Sequence, residues 1–349
     1  MNVVVPLRMA GQSGIAPPFV SVVLPVLNES AYIADCIASL LGQWPDAACE
    51  FLVMDGGSTD DTVAIVTALA EQNPSIKLHH NPARIQSAGV NLAVRLAAPQ
   101  ASILVRADAH ALYPANFIAR CVEALAASGA TSVVVPMRTR GAAGGGLQHA
   151  IAAAQSSRLG NGGAAHRIGA ASGFVGHGHH AAFDMDFFRA LGGYDETFTY
   201  NEDAEFDLRA IAAGGRIWMC ADAAVIYFPR SRFGGLARQY FRHGTGRART
   251  LLKHRLPPHP RQMIPVAVLA GCLAGLAATP FSPAFASVAL VYPAVCLAWG
   301  MALALRLRDR RLIAAGPALV TMHMAWAIGL VTGLARRHAR DEAKSAVPR

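Results

Sequence analysis

Three runs almost free of charge fill much of the last quarter of the chain, at about Ile264–Thr279, Ala284–Leu305 and Leu312–Ala335. No other feature constrains the fold as strongly, because apolar segments of this length must be buried in lipid or in a large core. The second and third are long enough to cross a bilayer. The first is short and fits a tilted span, a re-entrant hairpin or an interfacial helix. Hydrophobic types make up 53% of the residues, yet residues 1–262 read as a water-soluble α/β protein. The chain therefore divides into a head and a membrane tail. The expected boundaries are an N-terminal extension 1–18, a head 19–255, a region 256–335 with two or three hydrophobic helices, and a basic tail 336–349.

The formal charge of +9 is distributed to match. Many arginines fall in 230–261, 306–311 and 336–340, flanking the apolar runs, where they suit anionic lipid headgroups and set topology. No basic recognition helix or zinc pattern accompanies them, so nucleic acid is not expected as a partner. The six cysteines are scattered without a CxxC pair, which indicates neither a zinc site nor a disulfide framework and fits a reducing cytosol. Residues 1–18 carry Arg8 as their one basic residue and no sustained apolar core, so no signal peptide is read. The head is expected at the cytoplasmic face of an inner membrane. The arginines at 306–311 place that loop on the same side. A third full span would put Arg336, Arg337 and Arg340 outside, against the positive-inside tendency, so one stretch is expected to be re-entrant.

Within the head, Phe19–Leu27 is an apolar β-branched run, and Ala31–Leu41 follows with helical spacing of Ile33, Ile37, Leu40 and Leu41. Glu50–Met54, Lys77–His80 and Ser102–Arg106 read as further strands, with Thr62–Gln72 and Gln86–Leu96 as the intervening helices. Alternation of this kind implies a mainly parallel sheet, which binds ligands beyond the carboxyl ends of its strands. Asn28/Glu29, Asp55 and Asp108/His110 all stand at such ends, so the three polar clusters form one site. Residues 140–176 are rich in Gly and Ala and carry Arg158, His166 and Arg167, which reads as a mobile loop over that site. Ala181–Leu191 reads as strand or helix, Thr199–Ala213 as a helix and Arg216–Phe228 as a strand.

Four motifs in order, Pro25-Val-Leu-Asn28-Glu29, Asp55-Gly-Gly-Ser-Thr-Asp60, Asp108-Ala-His110 and Asn201-Glu202-Asp203, resemble family 2 glycosyltransferases of the GT-A fold. The resemblance covers about residues 19–245 and looks nearest to the ExoA-like branch of exopolysaccharide glucosyltransferases. It implies a membrane-attached inverting transferase that moves a sugar, with glucose expected, from a UDP-sugar to a lipid-linked saccharide. Membrane lipids and partners in polysaccharide assembly are implied with it.

The resemblance assigns Pro25, Asn28, Glu29, Asp55, Gly57 and Asp60 to the donor pocket. The same Asp-Gly-Gly-Ser-Thr-Asp would end a strand and cap a helix in any protein, so turn chemistry and binding both remain open for it. Arg84, Asn91 and Asp108 join the donor set, Arg84 as a candidate contact to the nucleotide or its phosphates. Asp108 and His110 stand where the family has Asp-x-Asp, the pair that holds a divalent metal. An imidazole in second place suits Mn²⁺ at least as well as Mg²⁺. His179, within Gly-His-Gly-His-His, is expected near the donor sugar or acceptor, with Gly176 and Gly178 admitting a sugar ring. Asp203 is the expected general base, paired with Glu202; helix capping explains two acidic residues there equally well. Gln239 and Arg242 occupy the position of Gln-x-x-Arg-Trp in processive relatives and are assigned to acceptor or diphosphate. His243 replaces the tryptophan, which favours addition of a single sugar.

Two rivals make distinguishable demands. A dinucleotide oxidoreductase needs Gly-x-Gly-x-x-Gly at the first turn, where this chain has Asn28-Glu29-Ser30. A non-catalytic saccharide-binding scaffold predicts broken acidic motifs, whereas Asp55, Asp108, Glu202 and Asp203 are all present.

Overall fold

Apolar β-branched runs alternate with amphipathic helices through the first hundred residues, and the chain folds accordingly. The structure is a computed structural model that describes residues 16–141, 145–162 and 171–345. Strands β1 (Phe19–Val26), β2 (Cys49–Asp55), β3 (Ile76–His80) and β4 (Ala101–Arg106) are joined by α1 (Ile33–Leu40), α2 (Thr62–Gln72) and α3 (Gln86–Leu96). The four strands are parallel in the order β3-β2-β1-β4. Every residue of β2 is buried, as expected of a strand covered by helices on both faces. In α1, Ile33, Cys36, Ile37 and Leu40 form the buried stripe that packs on the sheet.

The chain continues through β5 (Ala111–Leu112), α4 (Phe117–Ser128), β6 (Ser132–Val135), β7 (Met137–Thr139), α5 (Gly146–Ser156), α6 (Arg158–Asn161), β8 (Gly173–Val175), β9 (His179–Asp184), α7 (Met185–Ala190), α8 (Glu202–Ala212), β10 (Ile217–Met219) and β11 (Val225–Tyr227). Antiparallel β9 inserts between β4 and β6 and extends the sheet to eight strands, β3-β2-β1-β4-β9-β6-β10-β8. The segment read as one strand over Arg216–Phe228 is two, because β11 leaves for a small sheet, β5-β11-β7. One apolar core joins Val22, Leu24, Ile37 and Phe117; another, on the opposite face, joins Leu52, Met54, Phe183 and Phe206.

The Gly/Ala-rich segment differs from expectation. It is not a loop over the site: α5 and α6 lie within it, and Ala150, Ile151 and Ala154 are buried against Leu236, Ala315, Ala318 and Leu319. The glycines cluster at the margins of α5, while its interior is mostly Leu, Gln, Ile and Ala, adequate helix formers, with His149 among them. His166 and Arg167 lie outside the described residues, as do 1–15 of the expected extension and 346–349 of the basic tail.

The head closes with α9 (Phe233–His254), and after it come α10 (Pro260–Ala278), α11 (Ala286–Leu307) and α12 (Ala315–Ser345). Three segments, Pro260–Ala278, Pro283–Leu307 and Arg310–Ala335, are long and apolar enough to cross a membrane. Helices α9 and α12 touch backbone to backbone. A Cβ added at Gly244 would collide with the Trp326 carbonyl, and one at Gly329 with the carbonyl of Phe241.

Candidate active site

The carboxyl ends of β1, β2 and β3 are knitted into one platform by short polar side chains. Asn28 takes a left-handed conformation, φ 58°. Its backbone N–H donates to the Ser58 hydroxyl (2.9 Å), and its Oδ1 accepts from Thr59 N (2.8 Å). Asp55 accepts from Gly57 N (2.9 Å) and Ser58 N (3.1 Å), holding the turn that Gly57 makes at φ 83°. Arg84 donates through Nε to the Gly56 carbonyl (3.0 Å), so its guanidinium lies over the same turn while staying exposed. Asp60 turns inward on the loop. It accepts from Ser30 N (3.1 Å) and the Thr62 hydroxyl (2.5 Å), the first cause of a pKa held well below the carboxylate range. Asp60 thus clasps the loop, with Asn28, Asp55, Gly57 and Arg84 as its rim. Pro25 is the penultimate residue of β1, paired with Met54 of β2.

Asn91 is not brought to this rim. Its Nδ2 donates to the Tyr194 carbonyl (2.8 Å) and Glu196 (3.0 Å), and its Oδ1 accepts from Tyr194 N (2.9 Å). With its amide committed, buried Asn91 fastens the 194–196 turn to α3.

Asp108 is the hub of the second cluster. Its Oδ1 accepts from Arg106 (3.2 Å) and Gln86 (3.2 Å), and its Oδ2 faces His179 Nε2 at 3.5 Å. Burial raises its pKa, but Arg106, His179 and His110 outweigh that and bring it down to about 2. His179 itself is pushed down to about 4, chiefly by burial, while the charge of Asp108 opposes that shift. His110 Nδ1 contacts Glu29 Oε1 at 3.0 Å; burial lowers its pKa, and the Glu29 hydrogen bond and charge more than reverse this. The donor rim and the Asp108 cluster are joined through that pair. Gly178, expected to admit a sugar ring, instead faces Val134, whose side chain a Cβ there would meet at 2.6 Å; Gly176 does open on free space.

The acidic pair opens α8 behind the left-handed residue Asn201. Arg106 spans the gap, with its Nη2 3.9 Å from Glu202 Oε1. Burial and the charge of Asp203 push Glu202 up to about 7. Asp203 moves the other way: burial opposes ionisation, but His177, His180 and Arg106 together drive its pKa down. Asp203 is also the less buried of the two, and its Oδ1 accepts from Ala204 N (2.7 Å). One turn later Asp207 is enclosed, with His177 Nδ1 at 2.6 Å and His180 Nε2 at 2.8 Å, and His180 Nδ1 contacts the Tyr194 hydroxyl at 2.7 Å. Sequence reading missed Arg106, His177 and Asp207 as a supporting frame. The four-residue spacing of Asp203 and Asp207, which puts both on one helix face, was the available signal.

Helix α9 closes the far side. Gln239 Nε2 donates to the Tyr227 hydroxyl (3.2 Å), and the Tyr227 ring meets His110 edge-on at 5.2 Å. The Oε1 of Gln239 is buried without a partner among the described residues. Arg242 is exposed and lies over the Tyr200 ring at 5.0 Å. Arg247, from the same helix, feels the charge of Asp203. Every predicted site residue except Asn91 therefore lies along one continuous path: donor rim, Glu29–His110, Asp108–His179, Glu202–Asp203 and α9.

Among the described residues, no group of three His, Cys, Asp or Glu side chains stands close enough to hold a metal by itself. Asp108 and His110 fit a different arrangement. Mg²⁺-type sites in phosphate-handling enzymes use one or two protein ligands and take the rest from substrate phosphates and water. An ionised Asp108, with His110 carrying its second ring nitrogen away from Glu29, meets that smaller requirement.

Comparison with known proteins agrees with this architecture. The glycosyl transferase family 2 model matches residues 21–192. The chain is 43% identical over 308 residues to the succinoglycan biosynthesis protein ExoA of Rhizobium meliloti, covering 88% of this chain and 92% of that protein. It is 22% identical over 247 residues to a dolichyl N-acetyl-glucosaminyl phosphate diacetamido-dideoxy-glucuronosyltransferase of Methanococcus voltae, covering 67% of this chain and 74% of the other. The mannosyltransferase PcManGT of Pyrobaculum calidifontis, solved with GDP-Man and Mn²⁺, superposes with a TM-score of 0.58 at 22% identity, over 91% of this chain and 88% of that one. That likeness shows the fold, GT-A with a mostly parallel central sheet. On sequence and fold together, the chain is a glycosyltransferase and belongs to glycosyl transferase family 2.

Proposed function

We propose that this protein is an inverting hexosyltransferase of exopolysaccharide or cell-surface glycan biosynthesis, moving a sugar from a UDP-sugar, with glucose the first candidate, to a lipid-linked saccharide. The observation that carries the reading is the pairing of an ionised Asp203 with a neutralised Glu202 behind Asp108. An inverting transfer needs one carboxylate ready to take a proton and no covalent intermediate. Similarity to ExoA supports exopolysaccharide assembly, and its extent over nearly both chains supports the same overall layout.

In this reading the base and ribose of the donor rest on the rim of Asn28, Glu29, Asp55, Gly57 and Arg84. The sugar lies toward Asp108 and His179. Asp108 and His110 would hold a divalent ion, which when bound would supply positive charge for the leaving nucleotide. Arg106 keeps Asp108 anionic and oriented. Asp203 accepts the proton of the acceptor hydroxyl as its oxygen bonds to the anomeric carbon and the bond to the diphosphate breaks. Arg242 and Gln239 receive the acceptor or its phosphate from the α9 side. The head works on the cytoplasmic face, where nucleotide sugars are made, a reading supported by the arginines that flank the tail.

Nucleotide release by the purified full-length protein tests this, using a panel of UDP-sugars and GDP-mannose with Mn²⁺, Mg²⁺ or chelator, with and without lipid extract. Metal-dependent, lipid-stimulated release from one UDP-sugar is the expected result; release from GDP-mannose alone would overturn the donor assignment. Asp203→Asn is expected to lower transfer at least 10³-fold, about 4 kcal/mol of barrier, with donor affinity by calorimetry unchanged. Retained turnover would remove Asp203 from the role of base.

A further inference from the structure

The third apolar segment touches the head from one end to the other. Where it begins, Asp309 pairs with His149 of α5 at 3.4 Å. Ala315, Ala318, Leu319 and Met322 are then buried against α5 and Leu236 of α9. Farther along, Gly329 meets the Phe241 backbone, and Gly333 the Ala248 side chain and Thr245 backbone. Helix α9 is itself fastened to the catalytic face. Gly246 lies against Tyr200 and Asn201, Lys253 binds Glu205 (2.5 Å) and Asp195 (2.8 Å), and Arg249 lies over Phe198 at 4.5 Å. Residues 315–333 of α12, roughly 28 Å of helix at 1.5 Å per residue, with the turn that precedes them, thus follow one surface of the head.

A segment crossing a hydrocarbon core of about 30 Å cannot do this. Either its far end would leave the head, or α9 would enter the hydrocarbon with Arg238, Arg242, Arg247, Arg249 and Lys253, a depth charged side chains resist. The contacts with the neighbouring hairpin agree. Helices α10 and α11 run antiparallel, Gly275 against Val288 and Cys272 near the Ala289 carbonyl. Helix α12 meets α11 over its second half, from Tyr292 through Cys296 and Gly300 to Leu303, with His323 at Tyr292 and Gly316 at Cys296, and then passes to Val266 on α10. A membrane-spanning partner would match α11 along its whole length. This one crosses the hairpin near its head end, leaving Leu273, Leu276, Leu290 and the tip residue Phe281 exposed beyond it.

We propose that Arg310–Ala335 lies along the membrane surface beneath the head, not across the bilayer, and that only the hairpin Pro260–Leu307 goes deeper. Its lipid-facing side is the exposed stripe of Ile313, Ile328 and Val331. Arg261, Arg306, Arg308, Arg310, Arg311, Arg336, Arg337 and Arg340 then all stand at one face, which removes the conflict with positive-inside charge. The partner of this surface is an anionic lipid headgroup layer.

Three single cysteines in the full-length protein test the proposal by labelling with a membrane-impermeant maleimide, in intact cells and in inverted vesicles. They are Glu123→Cys on the exposed face of α4, Arg310→Cys, and a cysteine appended after Arg349. All three are expected to label from the same face. Labelling of the appended cysteine from the opposite face would make Arg310–Ala335 a third span. Labelling of Arg310→Cys from the opposite face would make Pro283–Leu307 and Arg310–Ala335 a spanning pair. Either result overturns the proposal.

Discussion

Arg106 shows how much of the site depends on a residue that sequence motifs do not mark. It is buried at the end of β4, 3.2 Å from Asp108 and 3.9 Å from Glu202, so one cation serves the donor carboxylate and the acidic pair at once. Removing one partner of a buried ion pair leaves the others charged and unsolvated, a cost of about 3–5 kcal/mol. Arg106→Met is expected to lower transfer at least 100-fold and to weaken donor binding, while Arg106→Lys restores part of both; unchanged donor affinity in Arg106→Met would show that Asp108 needs no such support. Glu202 gives a second residue-level prediction. Folding raises its pKa from 4.5 to about 7, so the fold favours the protonated acid. The associated stability is complete below about pH 4.5 and is lost as pH rises through 7. Between pH 5 and 8.5 the wild-type melting temperature is expected to fall relative to Glu202→Gln, by an amount equivalent to on the order of 3 kcal/mol. Parallel curves would show that Glu202 is ionised throughout.

At the scale of elements, the first half of the head was legible because the inner strands β1, β2 and β4 are largely buried on both faces and each helix shows one apolar stripe. Val20–Leu24 and the Ile33/Ile37/Leu40 spacing announce their elements without tertiary information. Helix α5 did not, because its buried face of Ala150, Ile151 and Ala154 acquires meaning only from the tail helix that covers it. Likewise Asn91 sits on the face of α3 that receives the 194–196 turn more than a hundred residues later, a contact no local pattern encodes. The acids, and His110 and His179, were legible at strand ends, a helix start and a glycine-rich motif; Arg106, His177 and His180 as partners were not, since β4, β9 and α8 meet only in the folded sheet. The glycines of the α9–α12 seam carry the corresponding element-level prediction. Gly329→Ala forces a methyl into the Phe241 carbonyl, and overpacking of this kind costs about 1–3 kcal/mol. A lowered melting temperature in detergent is expected, together with reduced transfer, because α9 carries Gln239 and Arg242. Gly271→Ala, which opens on free space in α10, is the control expected to change neither. Equal behaviour of the two variants would show that the seam does not couple tail and site.

For the whole molecule, the consequence of seating the head on its own tail is a fixed height and orientation of the active site above the lipid. Arg242 and Arg247 are carried by α9, the helix that packs on the tail, so in the proposed reading a hydroxyl carried on a lipid would be presented to Asp203 by two-dimensional diffusion. Confinement of this kind raises effective concentration without any new contact. Reconstituted in vesicles and given a lipid-borne acceptor, the enzyme is therefore expected to follow the mole fraction of acceptor in the membrane. Adding inert phospholipid at constant bulk acceptor should slow transfer in proportion to the dilution, whereas a water-soluble acceptor analogue should be indifferent to added lipid. If the lipid-borne acceptor also proved indifferent, the tail would be serving only to localise the enzyme, and the acceptor would reach Asp203 from solution.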